Sequence, residues 1–337
     1  MKKIVVTGGL GFIGSHTVVE LQNEGYEVVI IDNLSNSTIE VLDKITSITG
    51  KQPEYENIDL KNQTAIRQFF NSYSTIDGII HFAASKAVGE SVEKPLEYYH
   101  NNISSLIYLL EEMNRHKLSN FIFSSSCTVY GQADTMPITE KVPFKPAESP
   151  YGNTKQIGEE IIADTTKASR LKAIALRYFN PIGAHKSAKI GELPIGIPQN
   201  LIPFVTQTAA GIRKELSVFG GDYPTPDGTA VRDYIHVVDL AKAHIVALKR
   251  LIENKNRSDF EVFNIGTGKG SSVLEVIRAF EKVSGQQLNY KIVGRREGDI
   301  IEAYADTSLA NNELEWKAEY NLEEALASAW HWQQTLK

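Results

Sequence analysis

The chain has few of the devices that hold a fold together from outside its core. Of 337 residues only Cys127 is a cysteine, which excludes an internal disulfide and any cysteine-cluster metal site. No apolar run reaches the ~18 residues that a membrane-crossing helix needs. The opening stretch Met1-Lys2-Lys3-Ile4-Val5-Val6-Thr7 runs straight into a glycine turn, where a signal peptide would need a long apolar region, so a cytoplasmic protein is expected. Positive charge is in deficit: 35 Lys and Arg against 41 Asp and Glu leave −6 at pH 7. That balance argues against nucleic acid or an anionic membrane as the main partner, while allowing a local basic pocket for a phosphorylated ligand. Internal repeats, low-complexity segments and polar linkers are also missing. What is present, 42% hydrophobic and 23% charged residues, is ordinary globular composition. At this length one large or two unequal domains are expected.

Short β-branched runs alternate with longer amphipathic stretches through the first ~180 residues. Residues 3–7, 27–31, 76–82, 120–125 and 172–178 read as buried parallel strands, and 13–24, 64–71, 103–116 and 152–166 as helices between them. This rhythm predicts an α/β fold with a doubly wound parallel sheet, Rossmann-like, with helices on both faces. It breaks over residues 181–232, where Pro181, Gly183, Pro194, Gly196, Pro198, Pro203, Pro224 and Pro226 favour long ordered loops. Residues 233–251 read as a helix, 260–265 as a strand and 271–283 as a helix. The expected division is a cofactor domain of residues 1–180 plus about 233–263, and a smaller α+β substrate domain of 181–232 and about 264–337.

Two motifs carry chemistry. Thr7-Gly8-Gly9-Leu10-Gly11-Phe12-Ile13-Gly14 lies between a predicted strand and a predicted helix, where glycines permit a tight turn and let backbone N–H groups approach a pyrophosphate. Asp32, at the end of the next strand, is placed to accept hydrogen bonds from an adenosine ribose and to repel a 2′-phosphate. Asn33 to Ser37 offer no arginine, so NAD is expected over NADP. Without that context the loop would be a structural turn. The second motif, Tyr151-x-x-x-Lys155, puts two side chains on one helix face, where the lysine ammonium can favour the phenolate of a group with an ordinary pKa of about 10. Alone, such a pair is a solvated helix face; downstream of Ser124-Ser125-Ser126 and the glycine loop it reads as a catalytic base. Ser126 could instead cap its own turn, and Cys127 reads as a buried structural cysteine.

These segments, with His81-Phe82-Ala83, Lys86 to Ser91, Ser124 to Gly131, Arg177 to Pro181, Val231 to Val237 and Arg295-Arg296-Glu297-Gly298-Asp299, resemble the UDP-glucose 4-epimerase family of the extended short-chain dehydrogenase/reductase superfamily. The resemblance covers nearly the whole chain. It implies that NAD stays bound while a UDP-hexose is oxidised at C4 and reduced again, with Tyr151 as base, Ser126 on the reacting oxygen, and Lys155 tuning Tyr151 and holding the nicotinamide ribose. Carried over by motif, cofactor contacts fall on Gly8, Gly11, Phe12, Ile13, Gly14, Asp32, Asn33, Leu34, Ser35, Asn36, Ser37, Asp59, Leu60, Phe82, Lys86, Asn101 or its neighbour Asn102, Ser126, Tyr151, Lys155 and Phe179. Substrate contacts fall on Ser126, Tyr151, Asn180, Asn200, Leu201, Ser217, Phe219, Arg232, Arg296 and Asp299, two arginines suiting a diphosphate. Ala303 takes a position where the family's narrow members carry a tyrosine, which implies acceptance of UDP-GlcNAc and UDP-GalNAc as well. A homodimer through the helices near 98–115 and 153–166 is also implied. No metal is expected. The competing readings are a nucleotide-sugar dehydratase, a simple dehydrogenase and a non-catalytic NAD sensor; the first would need an acid pair where Cys127 and Thr128 stand.

Overall fold

A computed structural model describes residues 1–296 and 299–336, so Glu297 and Gly298 of the arginine-bearing motif lie outside the described residues. Strands β1 (Lys3–Thr7), β2 (Glu27–Ile31), β3 (Glu54–Glu56), β4 (Gly78–His81), β5 (Asn120–Ser126) and β6 (Lys172–Tyr178) are built largely from the apolar runs that the sequence advertises, and most of their residues are buried. With β10 (Phe260–Ile265) they form a parallel, Rossmann-like sheet in the order β10-β6-β5-β4-β1-β2-β3. The registers Val5↔Val29 and Val5↔Ile79 place β1 between β2 and β4. Strand order therefore reverses at β1 and β4, the point where open α/β sheets accept ligands at their carboxyl ends.

The helices that flank this sheet begin at recognisable caps. The helix α1 (Phe12–Asn23) starts at Gly11 with no side-chain cap, whereas α3 (Gln63–Ser72) starts at Asn62, whose side chain accepts from Ala65 N–H. After α2 (Glu40–Thr49) and two short helices, α4 (Val88–Glu93) and α5 (Pro95–Tyr99), a π-helical turn at His100–Ser104 leads into α6 (Ser105–Arg115). The helix α7 (Pro150–Ala168) has Pro150 in its first turn and Ser149 as N-cap, its hydroxyl accepting from Gly152 N–H. Val5, Val29, Ile79, Phe121 and Phe123 pack with Leu106, Leu109, Met113 and Ile162 into one core, each large side chain contributing roughly 1.5–3 kcal/mol by burial.

The chain divides into two compact units. The first comprises Met1–Gly131, Pro143–Arg177 and Ala241–Phe263; the second comprises Gln132–Val142, Tyr178–Leu240 and Asn264–Lys337. Residues 132–142, expected in the first unit, belong to the second, where a bridge from Ile138 to Ala305 holds them. The stretch read as a helix from residue 233 is strand β9 (Val231–His236) followed by α9 (Val237–Ile252), so residues 233–240 also fall in the second unit. The reason is pairing: β9 meets β7 (Asn180–Ile182), β11 (Gly270–Ser272) and β13 (Glu302–Ala303), and these ladders override the helical spacing. Two further strands, β8 (Leu216–Phe219) and β12 (Tyr290–Val293), pair in parallel. Around them lie α8 (Leu201–Ala209), α10 (Val273–Ser284), α11 (Ser308–Glu313) and α12 (Leu322–Thr335), the second and last of these opened by capping boxes. Ile182, Ile202, Val205, Val218, Phe280 and Leu326 form this unit's own core.

The loop after β1 is sterically fixed. A Cβ on Gly14 would stand 2.1 Å from the Gly8 carbonyl oxygen, so Gly14→Ala is expected to destabilise by about 1–3 kcal/mol and to lower Tm in a thermal melt. Gly89→Ala, in α4 with nothing near its added methyl, should be neutral or stabilising by up to about 1 kcal/mol. Equal melting points for the two variants would contradict this packing.

Candidate active site

In the first unit the glycine loop and Asp32 form one construction. Gly8 has φ +69° and donates to the Ile31 carbonyl at 2.7 Å, and Gly11 N–H returns to the Gly8 carbonyl at 3.1 Å. A side chain on Gly8 would run into the backbone of Ala83, 2.8 Å from its nitrogen, so only glycine lets β1 and β4 end this close. The Asp32 carboxylate, 8% exposed, accepts from Leu10 N–H at 3.0 Å, Leu34 N–H at 2.9 Å and the Ser37 hydroxyl at 2.9 Å. It thereby ties the two sides of the cradle together. Phe12 meets His16 edge-on, and Leu34 takes a left-handed conformation at φ 59°. Ser15, Ile13 and Gly14 belong to the first turns of α1, while Asn33, Ser35 and Asn36 lie in the turn after Asp32.

Across the switch, Thr7 accepts Phe82 N–H through its carbonyl at 3.0 Å and bonds His81 Nδ1 through its hydroxyl at 2.8 Å. Asp59 holds Lys61 N–H at 2.9 Å beside the buried Leu60, and Lys86 is exposed in the turn before α4. Asn101 and Asn102 now separate. Asn102 is buried and both ends of its amide are engaged, the oxygen by Ser85 N–H at 2.8 Å and the nitrogen by the Ser85 carbonyl and the Thr154 hydroxyl, each at 3.0 Å. Asn101 engages Ser85 and Asn102 through its amino group, at 3.1 Å to each.

Tyr151 and Lys155 share a face of α7, both buried, at 7% and 4% exposure. The ammonium does not point at the phenol alone: Nζ donates to the Ser124 carbonyl at 2.7 Å and stands 5.9 Å from the centre of the Tyr151 ring and 4.9 Å from that of Phe123. Burial pulls the Lys155 pKa down to about 8, opposed by the nearby Glu159 carboxylate. Ser126 ends β5, and its hydroxyl accepts from Thr128 N–H at 3.2 Å. Cys127, expected to be buried, is half-buried in the turn that follows. In the sequence reading Arg177 has a place in a motif but no role, and Glu159 is missed although the i+4 series 151, 155, 159 was there to be read.

The second unit gathers most of the remaining candidates. Arg232 and Arg296 flank Asp299, at 3.8 Å and 2.7 Å, and the Arg296 guanidinium lies 5.8 Å from the centre of the half-exposed Phe219 ring. Ser217 lies two residues before Phe219 on β8, and Phe179 is buried with its N–H on the Ile265 carbonyl. Asn180, Asn200 and Leu201 line one cleft with Glu192 and Tyr234, to neither of which the sequence assigned a role. Asn200 donates to Glu192 at 2.6 Å. Burial raises the Tyr234 phenol to about 12, with Arg232 lowering it and Asp299 raising it. Ala303, 1% exposed, pairs with Arg232 in register, so the two side chains share one face of the sheet, and Glu302 and Tyr304 take the other.

The family model described as GDP-mannose 4,6 dehydratase matches residues 5–329. A UDP-glucose 4-epimerase of Bacillus subtilis (strain 168) is 51% identical over 331 residues, 98% of this chain and 96% of its own. Among solved structures, UDP-glucose-4-epimerase from Stenotrophomonas maltophila, with bound NAD and formylated UDP-arabinopyranose, superimposes with a TM-score of 0.95 at 46% identity, covering 100% of this chain and 99% of that one. The UDP-Glc/GlcNAc 4-epimerase from Campylobacter jejuni does so with 0.85 at 36% identity, covering 99% of each. No helix among the described residues is long and apolar enough to cross a membrane.

His81, stacked near Phe121 and Phe123 and wholly buried, has its pKa lowered to about 3, by burial first and then by the charge on Lys155. The unfolded chain binds this proton near pH 6.5 and the folded one only near 3. Stability is therefore intact above 6.5 and lost as pH falls, by about 1.4 kcal/mol per pH unit for this group. NMR of the ring should show a neutral imidazole with no titration between pH 8 and 5; a midpoint near 6.5 would mean that the site is wet.

Proposed function

Because the chain belongs to the UDP-glucose 4-epimerase family, we propose that it interconverts UDP-hexoses at the sugar C4 by transient oxidation, with NAD held throughout the cycle. The observation that carries this reading is the convergence in one unit of a glycine cradle that an added Cβ would fill, a buried Asp32 at the next strand end, and Ser126, Tyr151 and Lys155 at the end of β5 and the start of α7. The cradle fits a dinucleotide: α1 begins without a side-chain cap, leaving its first N–H groups for a pyrophosphate. Asp32 suits the ribose hydroxyls of NAD and opposes the phosphate of NADP. Asn101 is preferred to Asn102 as a cofactor contact, because Asn102 is committed to Ser85 and Thr154. The chemistry that NAD supplies when bound is reversible hydride acceptance.

The residues do the rest. Tyr151 takes the C4 hydroxyl proton and gives it back, Ser126 bonds the reacting oxygen, and Lys155 supplies positive charge to the Tyr151 environment. Asn180, Asn200, Leu201, Ser217, Phe219, Arg232, Arg296 and Asp299 hold the UDP moiety, the two guanidinium groups on the diphosphate and Phe219 against the uracil. The first unit is accordingly the cofactor unit, and the second binds the sugar nucleotide. Dehydration is disfavoured although the matching family model carries a dehydratase's name. Cys127 and Thr128 hold no carboxyl group, and elimination of water needs an acid and a base there. A cytoplasmic homodimer, joined through α6 and α7, completes the proposal.

Replacing Tyr151 by Phe removes the transferable proton and little else. The Tyr151→Phe protein is expected to bind NAD and UDP-sugar while losing about 10²–10⁴ in kcat; near wild-type turnover would remove Tyr151 from the mechanism. Ala303 extends the substrate range, since a small residue on the Arg232 face leaves room for an acetamido group. UDP-GlcNAc and UDP-GalNAc should be epimerised beside the plain sugars, and Ala303→Tyr should cut kcat/KM for the acetylated pair by at least about 10-fold more than for the plain pair. An equal loss on both pairs would sink the assignment.

A further inference from the structure

Glu159 lies one turn beyond Lys155 on α7, and it is buried. Its carboxylate receives Arg177 in a two-point contact, Nε to Oε1 at 2.9 Å and Nη2 to Oε2 at 2.6 Å. The two side chains are 7% and 3% exposed. Arg177 also donates to the Tyr130 hydroxyl at 2.9 Å, and its guanidinium lies over the Tyr130 and Phe144 rings, 4.9 Å from each centre. The Ser125 hydroxyl donates to Glu159 Oε1 at 2.5 Å. A buried ion pair of this kind is a poor way to gain stability, since two apolar side chains of similar volume generally serve as well or better. Its contacts point elsewhere. Lys155 grips the carbonyl of Ser124, and Glu159 grips the hydroxyl of Ser125. Two successive turns of α7 therefore pin two successive residues of β5, directly before Ser126.

We propose that Glu159, itself locked by Arg177, is a positioning residue for the reaction: it fixes the end of β5, and so Ser126, against Tyr151 and Lys155. The inference rests on the epimerase reading given above. Glu159 has a second, electrostatic effect. Around Lys155 stand Tyr151 and Glu159 on its own helix and His81 on β4; Arg177 on β6 is joined to Glu159, and Tyr130 after β5 to Arg177. Of these, Glu159 alone brings negative charge, and His81 is neutral. Burial pushes Lys155 down and Glu159 holds it up, so Glu159 sustains the ammonium near neutral pH. Without that charge, Lys155 would lose its proton at lower pH.

Glu159→Gln keeps the shape and the contacts that a single carbonyl oxygen can accept, while removing the charge and turning an amide N–H₂ toward a donor of Arg177 or Ser125. The pH profile of kcat/KM with UDP-galactose would be measured for holoenzyme and variant, together with the pH dependence of NAD affinity, which reports on Lys155 without turnover. The expected result is a folded variant whose alkaline limb moves to lower pH by about half a unit or more, with kcat reduced about tenfold and KM little changed, because Glu159 does not touch the sugar nucleotide. The NAD-affinity profile should move in the same direction. Ser125→Ala leaves the ion pair intact and loosens only the strand, so it should lower kcat several-fold with the alkaline limb unmoved; it decides the matter if Glu159→Gln does not fold. Unmoved pH profiles with a lowered Tm in Glu159→Gln, or full turnover in Ser125→Ala, would reduce the network to a structural bridge and overturn the proposal. An inactive wild type would instead overturn the epimerase reading, with the NAD-affinity profile still testing the role of Glu159.

Discussion

A parallel sheet covered on both faces has one place for chemistry, its strand ends. Within β1, β2, β4 and β5 nearly every side chain is buried and the backbone is paired with neighbouring strands, so a polar group there would be costly. The functional candidates of the first unit obey this constraint. Gly8 follows β1, Asp32 follows β2, Phe82 follows β4 and Ser126 closes β5. The α7 face that carries Tyr151 and Lys155 is set against the last of these through the Ser124 carbonyl. The reversal of strand order at β1 and β4 opens the crevice, and the glycines keep it from being filled.

The same burial sets the electrostatics. Charges excluded from water must be balanced locally or lose their charge, and the molecule does both. His81 is held neutral; Lys155 is held near the edge of its charged range; Arg177 and Glu159 balance one another. In the second unit Asp233 is buried, and desolvation raises its pKa against hydrogen bonds from Thr267, Gly268 and Ala305 that lower it. Its neighbours Arg232 and Tyr234 point to the opposite face, toward the cleft and the arginine cluster, so one strand separates a structural carboxylate from the groups proposed to meet the substrate.

What could be read in the sequence was what local spacing encodes. The glycine loop, Asp32 at the next strand end and the Tyr151–Lys155 stripe are each set by positions a few residues apart, and the strand–helix rhythm to residue 178 follows from alternating apolar runs. Features that depend on distant pairing were hidden. Residues 233–236 carry a spacing compatible with a helix, and three separate strands make residues 231–236 β9. Residues 132–142 leave the first unit because of a bridge to Ala305, some 165 positions later. Lys155 was expected near the phenol, and its ammonium stands 5.9 Å from the Tyr151 ring centre; the backbone carbonyl to which it donates was not legible from spacing. Glu192 belongs to no local motif, and Tyr234 lies in one that assigned it no role; only the cleft brings them to Asn180 and Asn200.

The ladder around β9 also bears on how the protein is made. β9 leaves the ribosome before β11, and β13 with its neighbouring Ile138–Ala305 bridge comes some 70 residues after it. In the first unit β10 likewise joins the sheet long after β6 has been synthesised. Neither unit can close while the chain is still short, so both complete their folding late in translation, and a nascent chain carries open strand edges until then. Such long-range pairing folds slowly and exposes sticky intermediates. Truncation anywhere before residue 302 therefore leaves β9 incompletely paired, since its partners are spread from residue 180 to residue 303.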